Sequence, residues 1–212
     1  MNKIIVNKDK LFFDIGANIG EWAKKNYYNN KIVCVEASPY CYKLLCNNVK
    51  NLTNIIPINY AVCDTNSDNI TFYEASSNTL STLNINWLTD EKSRFYGTSY
   101  KTITVNTIKI DKLIELYGMP DLIKIDVEGG EYTCIKSLTQ KVKCLCFEWA
   151  AETIDITFNC LDYLYTLGFC NFYCQNGDAY DFRPTIFYDI QNIKQKISLM
   201  IPKKDWGMIW CE

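Results

Sequence analysis

The sequence predicts an α/β fold: a doubly wound, mostly parallel, seven-stranded sheet with helices on both faces and an antiparallel β insertion. Three observations carry this. Short apolar runs bounded by turn residues alternate with helical patterns along most of the chain. The first run ends in a glycine-punctuated turn into a helix. Between residues 66 and 107 the repeat is interrupted by alternating, strand-like segments around a polar stretch.

Leu11–Ile15 is a buried strand stopped by Gly16, and a helix follows from about Ile19 to Tyr28. Lys31–Glu36 is a second buried strand. Ser38-Pro39 then opens a helix, because serine can cap free amides and proline suits the first helical position. Tyr42, Leu45 and Val49 give that helix its apolar face. Asn54–Val62 is a third strand with a turn at its end. In the insertion, Ile70–Tyr73 and Thr102–Val105 alternate like paired antiparallel strands. The Ser/Thr/Asn-rich stretch Ala75–Tyr100 between them has the length of a lid or binding loop. Ile110–Tyr117 is a helix ended by Gly118, Asp121–Val127 a strand, and Glu131–Leu138 a helix after Gly129-Gly130. Val142–Trp149 is a strand, and Phe158, Leu161 and Leu164 mark a helix closed by Gly168. Phe169–Tyr173, Ile197–Ile201 and Gly207–Trp210 are expected to complete the sheet.

Composition narrows the function. A chain of 212 residues fits one domain, 1–212, able to bury a real core. Lys plus Arg is 22 against 24 Asp plus Glu, a net charge of −2, which disfavours nucleic acid as the main partner. The N-terminal apolar run, Ile4-Ile5-Val6, is too short for a signal peptide or a membrane span, and no later stretch crosses a bilayer. The expected location is cytoplasmic. The eleven cysteines are scattered among apolar neighbours without a CxxC pair, so they are read as buried thiols. With no histidine, a Cys/His zinc site and the usual serine or papain-like triads are out. The richness in Asn, Ile, Lys and Tyr fits an AT-rich genome, a viral one included.

The turn Asp14-Ile15-Gly16-Ala17-Asn18-Ile19-Gly20 lets a ligand approach the backbone at a helix start. Glu36, sixteen residues past Gly20, ends the second strand beside that turn and is suited to accept both hydroxyls of a ribose. Asn18 stands where a dinucleotide fingerprint wants glycine, and Asp14 would repel a pyrophosphate. Asp14 could instead hold a cationic aminoacyl group, directly or through water. S-adenosylmethionine, with an ammonium and a sulfonium and no phosphate, suits these charges better than NAD.

The segments Phe12–Trp22 (FFDIGANIGEW), Val35–Pro39 (VEASP), Ala61–Asp64 (AVCD), Ile123–Glu131 (IKIDVEGGE) and Phe147–Trp149 (FEW) resemble the FkbM-type methyltransferases, within the Rossmann-like S-adenosylmethionine enzymes. The resemblance spans roughly residues 10–170. It implies methylation of oxygens on sugars, macrolides and related small molecules. It implies that Asp14, Gly16, Asn18, Gly20 and Glu36, with the adjoining Ala17 and Ala37, line the cofactor site, with Ala61 and Val62 against the adenine. Gly130 departs from the alanine expected there.

Methyl transfer to a hydroxyl needs an oxygen aligned with the sulfonium and a route for its proton. Ligands in such sheets bind beyond the carboxyl ends of the strands, where Asp126, Glu128 and Glu148 fall. Asp126 is the first choice of general base. Alternatively Asp126 and Glu148 hold a divalent cation, Mg or Mn, that binds a sugar diol. Lys124 shares a strand face with Asp126 and could orient it or the substrate, or serve as a simple ion pair. Glu131 is read as a helix N-terminal acid. Ser81 and Trp87 of the insertion are candidates for a glycan or small-molecule acceptor, and a glycosyltransferase domain of the same pathway or polypeptide is a conceivable partner. Three rivals remain: an NAD-dependent oxidoreductase, an RNA 2′-O-methyltransferase, and a non-catalytic Rossmann binding module.

Overall fold

The computed structural model describes residues 10–65, 67, 69–178, 186–201 and 205–212. The N-terminal run Ile4–Val6 and the insertion's first residue, Asn66, lie outside them.

The chain starts with β1 (Lys10–Ile15), α1 (Glu21–Asn26), β2 (Asn30–Val35), α2 (Pro39–Val49), β3 (Ile55–Ile58) and β4 (Ala61–Val62). The insertion supplies β5 (Ile70–Ala75), α3 (Asn86–Thr89), β6 (Tyr100–Val105) and β7 (Thr107–Ile108). Then come α4 (Ile110–Tyr117), β8 (Leu122–Ile125), α5 (Glu131–Ile135), β9 (Leu145–Ala150), α6 (Ile154–Thr166), β10 (Phe172–Asn176), α7 (Ile190–Ser198) and β11 (Trp206–Cys211).

Seven strands form one sheet in the order β10-β11-β9-β8-β1-β2-β3. The five from β9 to β3 run parallel, and β11 inserts antiparallel between β9 and β10. Alternate residues of each strand feed opposite faces. Phe13, Ile15, Val33, Ile123 and Phe147 pack with residues of α4 to α7, whereas Phe12, Ile32, Leu122 and Cys146 pack with Trp22 and Ala23 of α1 and Leu45 and Val49 of α2. That is the doubly wound architecture, with the antiparallel β5–β6 pair as the insertion.

Local chemistry explains the element boundaries. Ser38 accepts a hydrogen bond from the Cys41 amide at 3.2 Å, so it caps α2 as expected. Gly118, with φ 99°, ends α4. Two expectations are corrected. The strand read as Asn54–Val62 is broken into β3 and β4: the Asn59 side chain donates to the carbonyls of Glu36 and Ala37, and β4 pairs with β7 instead of joining the main sheet. The run Ile197–Ile201 is no strand but falls at the end of α7. Asp189 caps that helix through the Asn192 amide, and Ile190, Ile193 and Ile197 point one face at the core.

All eleven cysteines are free thiols, and eight are buried. No helix among the described residues is long and apolar enough to cross a membrane.

Candidate active site

The parallel strands bring their carboxyl ends to one rim, and a cavity of about 680 Å³ opens there. Its size suits a small-molecule or cofactor site. One wall is the turn after β1, where Gly16, Ala17, Asn18 and Ile19 line the space. Gly16 has φ 75°, and a Cβ there would fall 1.8 Å from the Asp126 carbonyl oxygen. Only glycine lets this turn lie against the end of β8. Gly20 does a different job, with φ 88° at the start of α1: a Cβ there would meet Leu45 at 2.7 Å, so it admits α2 and stays off the cavity wall.

Glu36 lies just past β2 and is 7% exposed. Its two oxygens accept the amides of Asn18 and Ser38, each at 2.8 Å, which aims the carboxylate at the turn. Burial raises its pKa, the two amides oppose that rise, and the balance lies at about 7. Each carboxylate oxygen keeps a further acceptor position for a hydroxyl. Ala37, Ala61 and Val62 continue the same wall.

Asp14 sits elsewhere. Its side chain is fully buried beneath the turn and does not reach the cavity. Strand register explains this, because Asp14 of β1 lies directly beside Lys124 of β8 on the face that α1 and α2 cover. Lys124 bridges Asp14 at 3.4 Å and Asp126 at 3.2 Å, and it donates to the Gly16 carbonyl at 3.3 Å. Burial alone would lower the Lys124 pKa, but Asp126 and Asp14 outweigh it and raise it. Asp14 is raised by burial, with Lys124 opposing. Removing the cation would leave a buried carboxylate without its partner. Lys124→Met is therefore expected to lower unfolding free energy by about 3–5 kcal/mol, read from urea denaturation.

Asp126, Glu128 and Glu148 converge across the floor of the cavity, and one carboxylate oxygen of each lies within 4.8 Å of the others. Topology makes this convergence: β8 and β9 are neighbours paired at Ile125 and Phe147, so Asp126 and Glu148 fall side by side at the rim. Glu128 has φ 56°, a left-handed conformation uncommon outside glycine. It is held from above by the insertion. Thr82 donates to its carbonyl at 2.7 Å, and the Trp87 indole donates to its carboxylate at 2.9 Å. From below, Glu131 accepts the amides of Val127 and Gly129, each at 3.2 Å, as a helix N-terminal acid does. Burial raises the pKa of both Glu128 and Glu148, and neighbouring Asp126 adds to each rise. At Gly130 a Cβ would lie 3.3 Å from the Val127 carbonyl oxygen, close enough that only a small residue fits there.

The insertion forms the opposite wall. Ser81 and Trp87 both line the cavity. Ser81 is engaged, accepting the Ala75 amide at 3.1 Å. Sequence reasoning missed Asn78, Arg94, Phe95 and, beyond the insertion, Asp178 and Trp206, all of which also line it. Arg94 makes a bidentate contact with Glu152 at 2.6 and 2.7 Å, which fastens the insertion to the segment after β9. The composition of Ala75–Tyr100 marked the stretch as a whole, but no local pattern says which of its residues fold back onto the rim.

Comparison with known proteins bears on this arrangement. The Methyltransferase FkbM domain model matches residues 14–156, about two thirds of the chain. No curated protein matches. Among solved structures, fibrillarin of Aeropyrum pernix with natively bound S-adenosyl-L-methionine aligns with TM-score 0.53 at 13% identity, covering 97% of this chain and 66% of that one. The Bacillus cereus O-methyltransferase in complex with SAH aligns with TM-score 0.50 at 10% identity, covering 95% of this chain and 73% of that one. At these identities the likeness establishes the fold, and the family match over the glycine turn, Glu36 and the β8 acids establishes the lineage. The chain belongs to the FkbM methyltransferase family and is a methyltransferase of the S-adenosylmethionine-dependent, Rossmann-like class.

Proposed function

We propose that this enzyme transfers the methyl group of S-adenosylmethionine to a hydroxyl oxygen of an uncharged acceptor, a sugar or glycan. The observation that carries this reading is the convergence of Asp126, Glu128 and Glu148 on the same cavity as the glycine turn and Glu36. In this reading Glu36 accepts the ribose hydroxyls, the turn from Gly16 to Ile19 follows the aminoacyl arm, and Ala61 and Val62 flank the adenine. Asp14 acts indirectly, by holding Lys124 and through it Asp126.

Asp126 is the group we assign to take the acceptor proton as the oxygen attacks the methyl carbon. The bond from carbon to sulfur breaks, the electron pair stays on sulfur, and neutral S-adenosylhomocysteine leaves. Lys124, 3.2 Å away, keeps Asp126 oriented. The wall charges support a neutral acceptor. Glu36, Asp126, Glu128, Glu148 and Asp178 all face the cavity, while its cations Lys124 and Arg94 are already paired with carboxylates. Neither of these lining cations is left to receive a phosphate, a uronate or a nucleic-acid backbone. Trp87, Phe95 and Trp206 offer apolar faces suited to a sugar ring. We read the insertion, about 66–107, as the element that recognises the acceptor.

A second form of this reading has specific support. Three carboxylates whose oxygens lie within 4.8 Å of one another form a hard, all-oxygen donor set that fits Mg or Mn. Asp126, Glu128 and Glu148 would hold the ion, and its chemistry there is to lower the pKa of a bound hydroxyl. A panel of neutral, anionic and nucleic-acid acceptors, assayed with methyl-labelled cofactor with and without EDTA, tests both forms. Label is expected on neutral polyols. Label confined to RNA or to anionic acceptors would contradict the acceptor assignment, and loss of turnover in EDTA would select the metal form.

A further inference from the structure

We infer that Asn78, at the tip of the insertion's first loop, is a positioning residue for the methyl-donor site and latches that loop over the bound cofactor. The inference rests on the donor-site reading above and adds to it a residue outside the nucleotide-binding motifs.

The loop is anchored at its base and meets the glycine turn through its tip. Tyr73 and Thr82 exchange backbone hydrogen bonds at 2.9 and 3.0 Å, Ser76 donates to the Ser99 carbonyl at 2.8 Å, and the Ala75 amide is held by Ser81. These contacts clamp residues 75–82 at both ends. The tip reaches the glycine turn through two amide groups: the Asn78 side chain donates to Asn18 Oδ1 at 3.0 Å, and the Asn18 side chain donates back to the Asn78 carbonyl at 3.5 Å. These two residues are 60 apart in sequence and both line the cavity.

The partner explains what the contact does. Asn18 sits at φ 47°, a backbone region asparagine tolerates better than most residues, and its amide is one of the two that aim Glu36. Asn78 therefore bears on Glu36 through Asn18, in one continuous hydrogen-bonded path from insertion to ribose-binding acid. Asn78, Thr79, Leu80 and Ser81 face the same space as Gly16–Ile19 and Glu36, so a cofactor lying along the turn is roofed by this loop. Departure of that cofactor requires the tip to lift and the Asn18–Asn78 contact to break. The latch acts mainly on residence time.

Stopped-flow binding of S-adenosylhomocysteine, the product, tests this without knowledge of the acceptor. Asn78→Ala is expected to speed dissociation about tenfold, the worth of one well-placed hydrogen bond, with association changed little. In an Asn18→Gly background, which keeps the backbone conformation allowed and deletes the partner amide, Asn78→Ala should add nothing. A structural role of Asn78 elsewhere would persist in that background. Unchanged dissociation in Asn78→Ala, or a full effect retained beside Asn18→Gly, would overturn the latch. Failure of the unsubstituted protein to bind S-adenosylhomocysteine at all would instead remove the donor-site reading beneath it.

Discussion

Asp126→Asn is expected to lower kcat by about 10²- to 10⁴-fold, the range for loss of a positioned proton acceptor, while S-adenosylhomocysteine affinity stays near the unsubstituted value. The reason is placement. Asp126 lies just beyond β8, facing the cavity and 3.2 Å from Lys124, whereas Glu36, the group assigned to the ribose, lies across the glycine turn just past β2. Lys124 keeps Asp14 as its second carboxylate, so the variant retains a paired buried cation and should fold. The checks are steady-state turnover on an acceptor from the labelled-cofactor panel and calorimetric binding of the product. Near-normal turnover would remove Asp126 from the chemistry. A parallel loss of product binding would mean that its role is to hold the Gly16 turn.

Glu36→Ala is expected to produce the opposite split. Two charge-assisted hydrogen bonds to ribose hydroxyls would be lost, each worth roughly 1.5–3 kcal/mol, so cofactor affinity should fall by about two orders of magnitude or more. At saturating cofactor, kcat should be nearly kept. The same residue gives a pH signature. With Glu36 raised to about 7 by burial, affinity that depends on its ionised form should rise about tenfold between pH 6 and pH 8. Stability runs the other way. Glu36 and Glu131 are both raised to about 7, so the folded chain binds more protons than the unfolded chain between about pH 4.5 and 7. Both carboxyls therefore reduce stability as pH rises through that window, with no further change above it. Product affinity flat across pH 6 to 8 would separate Glu36 from ribose recognition.

Much of this molecule was legible in its sequence because its sheet is buried on both faces. Runs such as Ile32–Val35 and Leu145–Phe147 are apolar throughout, and glycine marks the turn or cap that follows an element at Gly16, Gly118 and Gly168. The acids of the site were legible for a related reason. Strand ends collect at one rim, so Glu36, Asp126 and Glu148 could be put there from strand positions alone.

What stayed hidden depends on contacts distant in sequence. Asp14 occupies a strand end too, yet its side chain turns to the face where Lys124 waits, and that pairing follows from register between β1 and β8. The break at Asn59 depends on a side chain bonding to carbonyls of the preceding loop, which no hydrophobic period records. At Ile197–Ile201 the signal was present and outweighed: Asp189 with Ile190, Ile193 and Ile197 spells a capped amphipathic helix, but a short apolar run reads equally as a strand. Asn78, Arg94 and Phe95 lay within a polar insertion whose return path over the rim is set by long-range partners, Asn18 and Glu152 among them.

The most direct measurement of the donor site is a crystal structure with S-adenosylhomocysteine, supported by calorimetric titration against NAD. The expected result is one molecule in the cavity with both ribose hydroxyls on Glu36, its sulfur directed toward Asp126, and the Asn78 loop closed above it. An empty cavity at saturating ligand, or NAD bound in its place, would contradict that assignment.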